Sequence, residues 1–221
     1  MAEERFEIPL FPLKVVLFPG MALPLHVFEP RYRRMTASCL DDRAPFGVVL
    51  AVEGGAPGAE IPARVGTLAR IADCERLPDG RYNLLALGTR RFELLEVRRA
   101  KPYLTGLVQP VRDLDEDWIP ASSVVEEAKT EVRGYLRTVL ALVGSEDRCI
   151  EIPDNVAELS YLIGMCLTCD DCQKQELLEL TSTARRLQSG LEMLRVERKA
   201  LARQLAQSKR RAATVDRSAL N

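Results

Sequence analysis

The chain is poor in the residues on which much enzyme chemistry depends: one histidine, one tryptophan and only 5% aromatic residues in 221. With His26 the sole imidazole, a Ser-His-Asp triad could be built only around that one side chain, and histidine acid–base chemistry is confined to it. No Gly-x-x-x-x-Gly-Lys-Ser/Thr phosphate loop occurs, which excludes the usual route to ATP hydrolysis. No apolar run reaches the roughly 20 residues needed to cross a bilayer. The opening is acidic at Glu3 and Glu4, and no small-residue cleavage site follows an apolar core, so no secretory leader is expected. The reading is a cytoplasmic protein without a membrane span. Its six cysteines are therefore expected to stay reduced rather than form a disulfide framework.

What is present is an ordinary globular composition, 47% hydrophobic and 29% charged with a net charge of -1, whose charges are unevenly placed. Residues 1–113 are close to neutral, residues 114–184 carry 15 acidic against 5 basic side chains, and residues 185–221 carry 10 basic against 3 acidic. A basic last helix lying across acidic helices of its own domain accounts for this pattern.

The densest signal is Ile8 to Arg34, IPLFPLKVVLFPGMALPLHVFEPRYRR. Pro9, Pro12, Pro19 and Pro24 prevent any helix, and each would cost a central strand a ladder hydrogen bond, so short edge strands are predicted. Phe18-Pro19-Gly20-Met21 has the residues of a tight turn. From Ala22 to Phe28 one face carries Leu23, Leu25 and Val27, the other Pro24, His26 and Phe28. Glu29-Pro30 starts a helix, with Tyr32, Met35 and Cys39 on one side.

Phe46 to Val52 reads as a strand covered on both faces, and Gly54 to Gly58 as a loop tip. Val65 to Leu77 is extended, Pro78-Asp79-Gly80 turns it into Tyr82 to Leu87, and Phe92 to Val97 and Leu104 to Val111 add two more strands. The acidic Asp113 to Pro120 marks a domain boundary, after which the apolar period changes from 2 to 3.6. Ser123 with Glu126 forms a capping box for a helix through Val124, Ala128, Val132, Leu136, Val139 and Val143, closed by Gly144. Asp154 caps a second helix with Val156, Leu159, Ile163 and Leu167 inward. A final helix from Thr183 to Lys209 carries a leucine seam, Leu187 to Leu205, interrupted by Arg198. The expected division is 1–116, a β structure; 117–210, a helical bundle ending in a long amphipathic helix that permits self-association; and 211–221, a flexible tail.

The Ile8–Arg34 stretch resembles the opening of the substrate-binding N-terminal domain of the Lon (La) ATP-dependent proteases. The likeness continues through Arg64 to Ile71, Leu77 to Gly80, Gly88 to Phe92 and Gln173 to Glu179, in the family's order. The resemblance implies an α+β fold, a PUA-like mixed β pseudobarrel followed by a C-terminal helical domain. It also implies binding of unfolded or partly folded polypeptides, with an ATP-dependent protease or chaperone as a partner. Neither the ATPase nor the Ser-Lys protease module of that family is matched, so no catalytic residue and no cofactor is expected.

The polypeptide-binding candidates are Phe18, Met21, His26, Phe28 and Tyr32, because a proline-rich edge leaves large apolar groups at the surface. Two other classes compete. PUA-like barrels commonly bind RNA, for which Arg31-Arg33-Arg34, Arg90-Arg91 and Arg98-Arg99-Lys101 are the candidate clusters. Against nucleic acid stand the near-neutral barrel and the lack of interleaved exposed aromatics. Cys166, Cys169 and Cys172, spaced C-x-x-C-x-x-C with Cys149 upstream, match a zinc or iron–sulfur spacing. Their place between two helices and the lack of a second Cys-x-x-Cys pair favour packed thiols, as for Cys39 and Cys74, and no metal is expected.

Overall fold

A computed structural model describes residues 5–52, 61–114, 118, 120–142 and 151–218, with 207–218 described as backbone only. The predicted Gly54–Gly58 loop tip, the helix end at Val143 and Gly144, and Cys149 lie outside the described residues. The elements run β1 (Phe6–Leu13), β2 (Ala22–Val27), α1 (Pro30–Asp41), β3 (Phe46–Val52), β4 (Ile61–Pro62), β5 (Val65–Arg76), β6 (Tyr82–Arg98) and β7 (Thr105–Pro110). Four helices follow: α2 (Ser122–Leu142), α3 (Val156–Cys166), α4 (Asp171–Glu179) and α5 (Thr183–Ser218). The chain forms two compact units, one of residues 1–116 with 169–182, the other of residues 117–168 with 183–221. The segment carrying α4, placed with the helical part by sequence, thus belongs with the strands.

In the first unit the strands run β1-β7-β6-β5-β3-β4, and an additional β1–β3 pairing closes β1, β7, β6, β5 and β3 into a ring. This is the pseudobarrel of the α+β fold. The closure corrects the expectation that β1 would be an edge strand. Its first half, Phe6–Pro9, pairs antiparallel with β7, and its second half, Leu10–Leu13, pairs parallel with β3.

The two prolines survive because of how their backbones point. The Leu10 amide donates to the Leu104 carbonyl on the β7 side, so by alternation Pro12 also faces that side, beyond the last β7 pair at Pro9. Pro9 faces the β3 side, ahead of the first β3 pair at Leu10. Each missing N–H falls where no ladder partner exists.

The strands Tyr82 to Leu87 and Phe92 to Val97, expected to be separate, form one 17-residue strand, β6. It stays continuous by changing neighbours: its first half lies between β2 and β5, and its second half between β5 and β7. Gly88 sits at the crossover of these partners. A Cβ there would lie 2.4 Å from the Phe18 carbonyl oxygen, so only glycine allows the approach. The Phe18–Met21 turn forms as predicted, with Gly20 at φ 84 and the Met21 amide donating to the Phe18 carbonyl at 3.1 Å.

One core lies between α1 and the sheet, where Tyr32, Met35 and Cys39 meet Val27, Phe46, Tyr82 and Leu84. A second fills the other side of the ring, with Ile8, Leu10, Val49, Phe92, Leu94 and Val108.

Helix α4 is held to the strands by polar contacts from three directions. Arg91, only 2% exposed, donates through Nη1 to the carbonyls of Leu178 and Leu180 at 2.6 and 2.7 Å. Through Nη2 it reaches the Asp113 carboxylate at 2.6 Å. Gln175 Nε2 donates to the Val65 carbonyl at 2.9 Å, and the Leu114 amide to the Thr181 carbonyl at 2.8 Å. Leu177 and Leu178 are buried beneath these contacts.

The second unit is built from α2, α3 and α5. The predicted Ser123–Glu126 capping box is replaced by a start two residues earlier, with the Ala121 carbonyl accepting from Val124 and Val125. Glu126 instead pairs with Lys129. The α3 cap is Asn155 rather than Asp154: its side chain accepts from the Glu158 amide at 3.1 Å, and Asp154 is occupied by Lys129 at 2.5 Å.

Leu187, Leu191 and Leu194 of α5 are buried in the bundle together with Val132, Tyr135, Leu159 and Ile163. Arg198, the interruption of the seam, reaches Glu131 of α2 at 2.6 Å, and Arg195 pairs with Glu127 of the same helix. These contacts are the basic-on-acidic arrangement anticipated from the charge pattern. Arg186 is fully buried, bonded to Ser160 Oγ at 2.8 Å and Thr183 Oγ1 at 3.1 Å and lying 4.2 Å over the Tyr161 ring. The Tyr135 hydroxyl lies 2.9 Å from the Glu197 carboxylate, and burial, then that carboxylate, pushes its pKa up. Helix α5 continues to Ser218, past the tail predicted from residue 211, because that stretch contains neither proline nor glycine to end it.

Replacing Arg91 by Met should remove a buried donor from Asp113 and from the Leu178 and Leu180 carbonyls. The expected loss is about 3–5 kcal/mol in urea denaturation. Adding Asp113→Leu should recover part of that loss, because the half-buried carboxylate that faced the guanidinium is then removed with it.

Candidate functional site

Strand β2 carries a proline and has a single neighbour among the described residues: it pairs with β6 only, from Ala22 opposite Leu87 to Val27 opposite Tyr82. The Gly88 amide donates to the Met21 carbonyl at 2.9 Å, which points the Met21 carbonyl at β6. Alternation then gives Leu23, Leu25 and Val27 the bonds to β6 and turns the backbone groups of Ala22, Pro24 and His26 to the free edge. Pro24 accordingly costs the ladder nothing. It removes a donor in the middle of the open edge, a recognised guard against strand addition.

Side chains follow the same period of two. Leu23 and Leu25 are half-buried and Val27 is buried, while Ala22, Pro24 and His26 are exposed. Next to them on the outer face of β6 are Leu85, opposite Pro24 and 38% exposed, and Leu87, opposite Ala22 and half-buried. Phe28, just beyond the strand, is 60% exposed. Its ring stacks against His26 with centroids 6.2 Å apart. The result is a short apolar row on the outside of a sheet edge.

A fixed polar chain crosses this row between Pro24 and Phe28. His26 Nδ1 lies 2.7 Å from Asn83 Oδ1, and His26 Nε2 lies 3.2 Å from Arg81 Nη1. Asn83 donates onward to Glu75 at 2.9 Å, and Arg81 pairs with Asp79 at 2.6 Å. Asn83 Oδ1 accepts and Arg81 donates, so the network fits the tautomer with its proton on Nδ1. Both ring nitrogens of the only histidine are engaged in positioning contacts.

The five predicted binding residues divide. His26 and Phe28 are exposed and Met21 is half-buried. Phe18 and Tyr32 are core, 1% and 3% exposed. Phe18 is enclosed behind the turn it begins, and Tyr32 stacks on Phe11 at 4.2 Å. Neither can touch a chain docked on the surface. Leu85 was not singled out from sequence because Leu84 and Leu85 are chemically identical, and only the register assigns one to each face.

Each arginine cluster has one member committed within the fold. Arg91 is buried, Arg98 pairs with Glu7 at 2.6 Å and Glu96 at 3.2 Å, and Arg31 pairs with Glu29 at 2.8 Å. Cys166 and Cys169 are half-buried and Cys172 is exposed. Among the described residues no group of three or more Cys, His, Asp or Glu is arranged to hold a metal ion, and no helix is long and apolar enough to cross a membrane.

Residues 7–196 match the family described as the ATP-dependent protease La (LON) substrate-binding domain. The Lon protease of Anaeromyxobacter dehalogenans is 27% identical over 198 residues, 88% of this chain and 24% of that protein. The Escherichia coli K12 Lon protease is 25% identical over 206 residues, 89% of this chain and 26% of its own length. The chain thus spans about a quarter of the curated relatives it matches. Among solved structures, the Lon N-terminal domain protein from Xanthomonas campestris superposes with a TM-score of 0.66 at 29% identity, covering 85% of this chain and 98% of that one. The N-terminal domain of the Mycobacterium avium complex Lon protease has the same fold, with a TM-score of 0.63 at 16% identity. With the family matched over nearly its whole length and the ring-closed sheet shared with a solved relative, the chain belongs to the Lon substrate-binding domain family.

Proposed function

We propose that this chain is a polypeptide-binding module without catalysis of its own, and that it takes apolar segments of unfolded or partly folded proteins on the outer face of β2 and β6. The observation that carries the reading is Phe28, a large aromatic side chain 60% exposed, which stacks on His26 at the end of the strand whose outer face also carries Pro24, opposite Leu85. An apolar row of this kind is costly in water and is relieved by a partner's apolar side chains.

Magnitudes set the mode of binding. Fully burying side chains such as Phe28 and Leu85 contributes about 1.5–3 kcal/mol each. A row this short therefore gives weak, reversible capture. Backbone addition along β2 would contribute more, but Pro24 interrupts the donors that it requires. Side-chain capture is the mode that remains. Weak capture suits an adaptor or chaperone-like role in which a bound chain is passed to an ATP-dependent protease, and the family membership supports that extension.

The test uses a labelled, permanently unfolded polypeptide, reduced and carboxymethylated lactalbumin, followed by fluorescence anisotropy. Phe28→Asp with Leu85→Asp is expected to weaken binding roughly tenfold or more while the melting temperature stays near wild type, since both side chains already face water. Phe18→Asp is the contrast: it should cost at least about 3–5 kcal/mol of stability, the usual penalty for losing a core aromatic. Unchanged binding by the Phe28, Leu85 double variant would remove the proposed site.

A further inference from the structure

Away from the β2 edge, at the C-terminal end of α1, lies a cavity of about 510 Å³ lined by residues of α1, β5, β6 and the turn into β3. That is the size of a small-molecule site. Leu40, Leu68 and Ile71 give it an apolar floor, and Arg43, Arg70 and Arg90 are its charged lining residues, with no carboxylate among them.

Two backbone irregularities converge here. Arg43 has φ 50, in the left-handed region that glycine usually fills just past a helix end. The Ala44 amide closes that turn on the Cys39 carbonyl at 3.0 Å. On the opposite wall, β5 shifts register against β6 between Thr67 and Ala69, which places a bulge at Leu68. Left-handed non-glycine residues and bulges both gather at functional sites.

The arginines are also left over electrostatically. None of the three is in an ion pair among the described residues, and Arg90 is oriented instead by the Phe6 ring, 5.8 Å away. The neighbouring acid Asp42 lies outside the lining and accepts a hydrogen bond from Ser38. Three guanidinium groups over an apolar floor match neither a bare inorganic ion nor a neutral lipid. No aromatic ring lines the cavity for base stacking, which disfavours nucleic acid.

We propose that this cavity binds an amphipathic organic anion, with its apolar body on Leu40, Leu68 and Ile71 and its carboxylate or phosphate head held by Arg43, Arg70 and Arg90. Guanidinium forks suit both head groups. The site is separate from the polypeptide-binding face and does not depend on that reading.

Calorimetric titration of the full chain with decanoate, decyl phosphate, decanol and acetate, all below micelle-forming concentrations, tests it. One or both of the ten-carbon anions should bind one to one, and decanol and acetate at least roughly tenfold more weakly. The tighter of the two anions identifies the head group. Arg43→Gly should lower affinity roughly tenfold and leave the melting temperature equal or higher, because it removes the guanidinium and relieves the backbone together. Arg90→Gln should weaken binding in the same direction, and Phe28→Asp should bind as wild type. The proposal is overturned if neither anion binds, if decanol matches decanoate, if Arg43→Gly keeps full affinity or melts earlier than wild type, or if Phe28→Asp abolishes binding.

Discussion

The first unit depends on one buried cation. Arg91 ties β6, the strand that spans the ring, to Asp113 at the end of the β7 segment and to the last carbonyls of α4, nearly ninety residues further along the chain. Carbonyls at a helix C-terminus lack partners within the helix and carry the negative end of its dipole, so a guanidinium is a fitting group to place there. Burying such a group is expensive unless it is fully paired, and here two carbonyls and a carboxylate pair it. The interaction specifies where α4 goes as much as it contributes stability, because its two arms fix the end of α4 and Asp113 at once.

Much of the fold was legible in the sequence because the relevant signals are local. The Phe18–Met21 turn, the alternation through β2, the start of α1 at Pro30 and the covered strand β3 follow from residue type and period alone. What was not legible depends on partners distant in sequence. Pro9 and Pro12 argue correctly against an ordinary central strand, but no local rule reveals a strand that changes neighbours between them. The stretch from Tyr82 to Val97 reads as two strands, whereas the structure keeps one and uses Gly88 for close approach to Phe18. Arg91 looked like half of a basic surface pair, since a run of two arginines carries no sign of which one turns inward.

The candidate site shows the same division. Aromatic content singled out Phe18, Phe28 and Tyr32 together, and only burial separates the two that fill the core from the one that faces water. His26 was correctly placed on the outward face, but its engagement with Asn83 and Arg81 needed the β2–β6 register. Pro24 has a double role that neither composition nor pattern conveys. It lets the edge strand pair fully on one side while withholding a donor on the other, so the apolar row beside it can stay open to side chains without inviting sheet extension.

The strand unit is discontinuous: it is finished by residues 169–182, which follow both α2 and α3 of the second unit in the chain. A chain emerging from the ribosome can pair β1 through β7 early, yet the Arg91 guanidinium must wait for Leu178 and Leu180 to be synthesised before its pairing is complete. During that interval a buried charge lacks two of its acceptors, and the nascent ring holds an arginine that still favours solvent. Vectorial synthesis therefore leaves this barrel provisional until the ribosome has moved well past its last strand.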